Sequence, residues 1–353
     1  GGGIYSTGGD VMLTDTLVED NSATDGGGLS LNDANSVLTD CQIIDNTAVN
    51  FGGGMVLTHE SAILKNSIIR GNRITTASVG YGGGMYGNAA VLTVENLLIE
   101  GNSARNGGAF AMYNSNGIWT NCTFTGNQSE SRNAGVYLFH HTAIEMGNCI
   151  LWGNHGALGD NQLRMSTSSS AAVSFCDVQG GQDGQEVDET STLTWGDGNR
   201  DDDPDFAMEG QWDPNETPED YTDDSWSAGC YYLLPDSPCR DTGDNTAVTG
   251  IDTDLEGNPR VSNGIVDLGA YEKGVVDLIV AKMTLKAGRS RQAVADTFQA
   301  NGTCQAAPAD FTAAENILVR VGTFFETLAR EDFRQSGSKP VYAYRRTTGL
   351  ISS

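Results

Sequence analysis

Long apolar runs, positive charge and paired metal-binding cysteines are scarce or missing in this chain, and each shortage removes a class of function. No stretch of about 18 apolar residues occurs, so no segment reads as a bilayer-spanning helix. Lysine and arginine number 20 against 46 aspartates and glutamates. The resulting net charge of −26 repels nucleic acid and anionic membrane and favours cations or basic partners. No CxxC pair and no CxxCH run is present, which leaves metal–thiolate and haem readings without support. A secretory leader and an initiator methionine are also missing. The chain opens on Gly1-Gly2-Gly3, and the expectation is a processed or trimmed product.

Glycine, by contrast, is abundant and regularly placed. The last small residue of successive triplets falls at Gly3, Gly28, Gly54, Gly84, Ala109 and Gly135, and an asparagine follows each at Asn21, Asn46, Asn72, Asn102, Asn127 and Asn154. The interval is 18 residues in five cases and 19 in the sixth, a constancy that marks a repeat. Length variation is confined to the stretch from each asparagine to the next triplet, and it is largest at "RITTASVGY", Arg73 to Tyr81. Three residues before each asparagine stands an apolar residue: Val18, Ile43, Ile69, Ile99, Phe124, Leu151. Five before stands a mostly small one: Thr16, Cys41, Ser67, Leu97, Cys122, Cys149. Alternate residues on one side are the mark of a strand, and short strands repeated every 25 to 30 residues between tight corners describe stacked turns of a parallel coil. The asparagines are expected to bond from turn to turn at one corner and the glycines to serve a second corner, where a side chain would collide or φ is positive.

The "GGG", "DN" and "GN" pattern over roughly residues 1–181 resembles the right-handed parallel β-helix, pectate-lyase-like repeat proteins of bacterial cell surfaces, including polymorphic outer-membrane adhesins. That resemblance implies an all-β fold, a right-handed parallel β-helix, and says little about activity, because this architecture carries lyases, hydrolases, tailspikes and adhesins alike. The composition changes at residue 182. Residues 182–273 contain "DPDF", "SPCRDTGD", "DTDLEGNPR" and "VDLGAYE", a succession similar to the closing segment of secreted bacterial β-helix proteins. The resemblance implies an irregular acidic cap over the C-terminal end of the coil. Residues 274–353 alternate like strands ("ENILVRVG", "PVYAYRR") and are expected to form a small Ig-like β-sandwich, incomplete or completed by a partner. The first turn has no cap of its own, so either preceding residues or another subunit is expected there.

Candidate ligands are few. In "DTDLEG", Asp252, Asp254 and Glu256 place alternate carboxylates as in the first half of a calcium loop, although Asn263 stands where an EF-hand has its glutamate. Calcium is the one cofactor expected, with a polar turn as the competing reading. Asp201, Asp202, Asp203 and Asp205 form a second acidic cluster, solvated or holding another ion. Cys230 and Cys239, nine residues apart in the irregular segment, are a disulfide candidate suited to an oxidising setting, whereas Cys41, Cys122, Cys149 and Cys176 are expected as buried free thiols. The coil's bases are Lys65, Arg70, Arg73, Arg105, Arg132 and Arg164, and only Arg70 and Arg73 are close in sequence. His140 and His141 are expected to point to opposite faces of a strand, and Trp119, Trp152 and Tyr113 to stand outside, where they cover neighbouring turns or stack on sugar rings. No catalytic residue is assigned. The function expected is a non-enzymatic structural or adhesive protein, secreted or at the cell surface, that assembles with copies of itself or with surface components. The alternatives are a polysaccharide lyase or glycoside hydrolase, or a non-catalytic carbohydrate-binding module.

Overall fold

The structure is a computed structural model that describes residues 1–76, 80–130, 133–213, 215 and 224–272, together with the strands of a separate C-terminal unit. The chain divides into two compact units, Gly1–Lys273 and Gly274–Ser353. The first is a right-handed parallel β-solenoid, and no helix occurs among the described residues.

Each turn contributes up to four short strands, and each strand pairs in parallel with its equivalent one turn on. The first face runs from Ile4–Thr7 to Glu186–Val187 in eight strands, and the second from Met12–Thr14 to Thr192–Trp195, also in eight. The third runs from Leu17–Glu19 to Asp177–Val178 in seven strands, and the fourth from Ser22–Asp25 to His155–Gly156 in six. Parallel pairing therefore continues past residue 181, the boundary expected from sequence. Val187, Leu193 and Trp195 of the last turn pack on the end of the core, and Arg200 bridges back to Asp177.

Register is kept from turn to turn, so inward side chains stack in columns: Leu29, Met55, Met85, Phe110, Val136 and Leu163 on the first face, and Val18, Ile43, Ile69, Ile99, Phe124, Leu151 and Val178 on the third. These side chains are buried, and each contributes on the order of 2 kcal/mol of hydrophobic stabilisation. Trp119 belongs to this interior. It is fully buried and makes ring contacts with Phe110 at 5.6 Å and Phe124 at 5.6 Å, contrary to the outward position expected for it. Gly117, two residues earlier on the same side, leaves the room its indole occupies: a Cβ there would lie 2.9 Å from Trp119 Nε1.

Between the third and fourth faces runs the asparagine ladder. From Asn21 to Asn46, Asn72, Asn102, Asn127 and Asn154, each side-chain amide donates to the next Oδ1 at 3.1, 3.0, 2.9, 2.9 and 2.7 Å. Each Oδ1 from Asn46 onward also accepts the backbone N–H of the preceding asparagine, at 3.0 Å. From Asn46 onward each Nδ2 in addition reaches a carbonyl of the turn before, Val18, Ile43, Ile69, Ile99 or Phe124. Gln162 ends the row by accepting from Asn154 at 2.6 Å. Amides with both donor and acceptor are needed here because the corner buries backbone groups that no sheet partner satisfies. The residue before each asparagine has positive φ, which aspartate tolerates (Asp20, Asp45) and glycine adopts freely (Gly71, Gly101, Gly126, Gly153). That conformational demand is the origin of the alternation between "DN" and "GN".

The glycine triplets form the opposite corner of the short fourth face. Their first members have positive φ (Gly26, Gly52, Gly82, Gly107), and their second members touch the next turn, where a Cβ on Gly27 would lie 2.2 Å from the carbonyl oxygen of Gly53. A second polar column, interrupted by Leu97, separates the second and third faces. Cys41 N–H donates to Ser67 Oγ, Cys122 N–H to Cys149 Sγ at 3.4 Å, and Cys149 N–H to Cys176 Sγ at 3.3 Å. All four of these cysteines are buried and free.

The C-terminal unit is built of antiparallel pairs. Ile279–Gly288, Ala295–Gln305, Val341–Ile351 and Arg334–Gln335 form one sheet in that spatial order, and Asn316–Val321 pairs with Phe324–Ala329.

Candidate functional site

The described residues of 201–272 do not sit over the end of the coil, where the closing segment was expected. They lie as a strap along the outer side of the third face. The outward column of that face records the contact: Leu17 and Gln42 are exposed and Ile68 is half-buried, whereas Leu98, Thr123, Ile150 and Asp177 are buried. Leu98 and Ile150 share an apolar cluster with Phe206, Tyr231, Leu233 and Leu268 of the strap. Polar anchors fix the register. Buried Glu100 accepts from Arg70 Nη1 at 3.3 Å on one oxygen, and from Trp226 Nε1 at 3.1 Å and Gly229 N–H at 3.3 Å on the other. Asn148 donates to the Asp244 carbonyl and accepts its N–H, and Ala270 N–H donates to Thr123 Oγ1.

The strap draws together the four motifs read in its sequence. Ser237 Oγ donates to the Pro204 carbonyl, Asp241 N–H to Asp267 Oδ1, and Glu272 N–H to Asp254 Oδ2. At the centre lies a buried ion pair, Arg260 Nη2 to Glu272 Oε2 at 3.3 Å, with Arg260 also donating to Asn96 Oδ1 and to the carbonyls of Asp267 and Ala270. Burial pulls the Arg260 guanidinium below its usual range and raises Glu272 to about 7, each partly opposed by the charge of the other. Burial likewise raises Asp267 to about 7, and Asp177 to about 6 beside the Cys239 thiol. Desolvation wins over attraction throughout this cluster, as expected where charges leave water for a fixed polar framework.

The structure bears on two further groups of residues singled out in the sequence. The carboxylates of Asp252, Asp254 and Glu256 take different partners. Asp254 is buried and its two oxygens accept from the N–H groups of Glu256, Asn258 and Glu272 and from the Asn258 amide, so its charge is spent holding the loop together. Asp252 and Glu256 are exposed, and Glu256 takes the Tyr232 hydroxyl. Among the described residues no group of three or more histidine, cysteine, aspartate or glutamate side chains is arranged to hold a metal. The Cys230–Cys239 disulfide is not formed. Both thiols are free, and Cys239 Sγ lies 2.9 Å from Asp177 Oδ2 beneath the strap.

The outer side of the first face differs from the rest of the coil. Phe51, Tyr81, Tyr86, Tyr113, Tyr137 and Phe139 gather there into one aromatic row spanning several turns. Tyr81 stacks on Phe51 at 6.0 Å and 10°, and on Phe139 at 5.3 Å and 20°. Tyr137 stacks on Phe139 at 4.6 Å and 8°, and Phe51 lies 4.7 Å from Tyr86. Tyr113 meets Phe139 edge-on at 5.3 Å, and His140 flanks it at 4.7 Å. Arg164 lies over the Tyr137 ring at 5.0 Å and pairs with Glu186 at 3.1 Å. The Tyr137 hydroxyl meets Ser166 Oγ at 3.1 Å. Mutual cover leaves most of these rings half-buried although they stand outside the sheet, and burial pushes the Tyr86 hydroxyl up to about 12, so it is a hydrogen-bonding group at neutral pH.

Of the aromatics singled out in the sequence, only Tyr113 is in this row. Trp119 is in the core, and Trp152 packs beneath the strap. His140 and His141 are both exposed on a corner with positive φ, not on opposite faces of a strand. The signal for the row was present one residue before the glycine triplets, where Phe51 and Tyr81 replace the Asp25 and Asn106 of other turns, and in the recurrence of Tyr86 and Tyr137 in one outward column. Arg70 and Arg73, the paired bases, serve the strap: Arg70 through Glu100, Arg73 by donating to the Asp224 carbonyl. Lys65 pairs with Glu95 at 2.8 Å across adjacent turns. Arg132 and the middle of the Arg73 to Tyr81 stretch lie outside the described residues.

No curated protein and no solved structure matches this chain. A family whose description is "right handed beta helix region" matches residues 2–178, half of the chain and the whole of its regular repeat. With the parallel four-faced coil and its asparagine ladder, that match places the chain in the right-handed β-helix family.

Proposed function

We propose that this protein is a non-enzymatic scaffold, secreted or at the cell surface, that holds a binding surface rigidly for adhesion or for assembly of a larger surface structure. The observation that carries the reading is the aromatic row outside the first face, where Tyr81, Phe139 and Tyr137 stack across neighbouring turns. Arg164, the cation over the Tyr137 ring, is matched by Glu186, which favours holding a ligand over moving a proton. Rigidity suits that role: a register fixed by an uninterrupted amide ladder presents the rings without an ordering cost on binding.

The test is to locate the protein on its source cells by immunogold labelling and to incubate purified protein with soluble polysaccharides. The scaffold reading predicts surface label and no new reducing or unsaturated ends. Release of such ends, abolished by substitution of first-face residues, would overturn it in favour of a lyase or hydrolase.

A further inference from the structure

We propose that Cys122, Cys149 and Cys176 form an oxidation site inside the coil, where Cys149 takes a disulfide to either neighbour and ties two consecutive turns together. The three stand at one corner of successive turns, each immediately before a strand of the third face, and the pairing of Thr123 with Ile150 and of Ile150 with Asp177 stacks them over one another. Cys122 N–H reaches Cys149 Sγ at 3.4 Å and Cys149 N–H reaches Cys176 Sγ at 3.3 Å, so each of these sulfurs lies against the backbone of the cysteine one turn before. Turns of a parallel coil rise about 4.8 Å, inside the Cα separation of about 4.4–6.8 Å that a disulfide bridges, whereas two turns, about 9.6 Å, fall outside it. Cys149 is therefore a member of any pair that forms.

The corner itself does not call for sulfur. Thr16, Ser67 and Leu97 occupy it in other turns, and Ser67 accepts Cys41 N–H at 2.9 Å, a shorter bond than either thiol receives. Three thiols in unbroken succession exceed what packing and backbone satisfaction need. Cys41, between Thr16 and Ser67 in the same column, has no thiol beside it to join. Burial raises Cys122 and Cys176 well above the ordinary thiol range, whereas at Cys149 hydrogen bonds with both neighbouring thiols outweigh burial and pull it well below. The middle sulfur is the one favoured as thiolate, the attacking species in exchange.

With glutathione disulfide as oxidant, the Cys149 thiolate attacks its S–S bond while the coil is open, and one glutathione thiolate leaves and takes up a proton. The Cys122 or Cys176 thiolate then attacks the Cys149 sulfur of the mixed disulfide, and the second glutathione leaves. Two protein thiols are oxidised and one glutathione disulfide is reduced to two thiols.

The experiment is refolding of the full chain from urea in a mixture of oxidised and reduced glutathione, then acid quenching, alkylation of the remaining thiols and tryptic mapping. Arg105, Arg132, Arg164 and Arg200 place the three cysteines in separate peptides, 106–132, 133–164 and 165–200. The expected products are 133–164 joined to 106–132 or to 165–200, with Cys41 alkylated, and a urea midpoint about 0.5–1 M above that of protein refolded in dithiothreitol. Cys122→Ser should move the whole link to Cys176, and Cys149→Ser should abolish it while matching the parent in dithiothreitol. Folded protein with all three thiols alkylated, a link between Cys122 and Cys176, or a link that leaves the midpoint unchanged would overturn the proposal.

Discussion

Early and late turns of the solenoid share one interior and differ outside it. In the first two turns the residue before the ladder asparagine is aspartate, Asp20 or Asp45, and the outward residues Leu17 and Gln42 of the third face are exposed. From the third turn on, that residue is glycine, and the equivalent outward positions Leu98, Thr123 and Ile150 lie under the strap. Both residue types satisfy the positive φ, so conformation alone does not choose between them. Contact does: a Cβ on Gly101 would lie 2.1 Å from the Trp226 ring and one on Gly126 2.0 Å from it. In these two turns glycine supplies both the left-handed corner and the flat seat for the strap's tryptophan. At Gly101 and Gly126 the residue before the asparagine thus records the cover, whereas Gly71 and Gly153 face coil atoms, Asp45 Oδ1 and Thr125 Oγ1.

The largest break in this comparison is expected from the interior, which both regions share. Asn102→Ala removes the acceptor for Asn72 N–H and Nδ2 and the donor to Asn127 Oδ1 and the Ile69 carbonyl, all buried. At about 1–3 kcal/mol per buried polar group left unpaired, the loss should be about 4 kcal/mol or more. Asn21→Ala, at the half-exposed end of the row, should cost about 1 kcal/mol. Urea unfolding midpoints compare the two directly, and equal losses would mean that the ladder does not act as a buried network.

The next effect separates covered from bare turns. Gly126→Ala meets both a φ of 61° and the Trp226 ring, and should cost about 2–3 kcal/mol while freeing the strap to proteolysis. Asp45→Gly, at the matching position of a bare turn, should change stability by less than about 1 kcal/mol. Limited proteolysis with tryptophan emission reads the difference.

The strap and the face beneath it should carry the largest pH dependence. Asp267 and Glu272 are raised to about 7 and Asp177 to about 6, above unfolded values of 3.8, 4.5 and 3.8. The folded state therefore binds protons that the unfolded state has released, and stability falls as pH rises from about 4 to about 7, then levels off. The total is on the order of several kcal/mol, and Asp267→Asn, which keeps an oxygen acceptor for Asp241 N–H, should flatten the slope. A slope of opposite sign in thermal melts from pH 5 to 8 would show that these carboxyls are ionised in the fold.

The smallest effect is expected in the cysteine column. Ser67 already occupies it, donating to the Lys65 carbonyl at 2.6 Å and accepting Cys41 N–H at 2.9 Å. Cys149→Ser keeps that pattern and should change the urea midpoint by less than the equivalent of about 1 kcal/mol. Cys149→Ala leaves Cys122 N–H without its acceptor and should cost more.

The interior was readable because each turn repeats one physical requirement. The 18-residue interval, the apolar column three before each asparagine and the asparagines themselves correspond to the stacked third face and its corner. The strap's position was not readable, since it depends on Leu98, Glu100 and Ile150 being apolar or ion-paired on an outward side, and a single turn does not distinguish outward burial from inward burial. The internal bonding of the acidic loop was unreadable for a related reason. The spacing of Asp252, Asp254 and Glu256 suits a cation, but Asp254 is filled by N–H donors from residues up to 18 positions away, a partnership that local spacing does not contain. The aromatic row escaped notice because its members come from three different columns, the outward sheet positions Tyr86 and Tyr137, the strand-end positions Tyr113 and Phe139, and the corner positions Phe51 and Tyr81, which meet only when the coil is wound.

The most direct test of the strap's placement is a double-mutant cycle between Glu100→Gln and Trp226→Phe, whose side chains meet at 3.1 Å through indole Nε1 and Oε2. A strap seated on the third face predicts a coupling energy of about 1 kcal/mol or more. Additive losses, with no coupling, would contradict that placement and return residues 201–272 to the end of the coil.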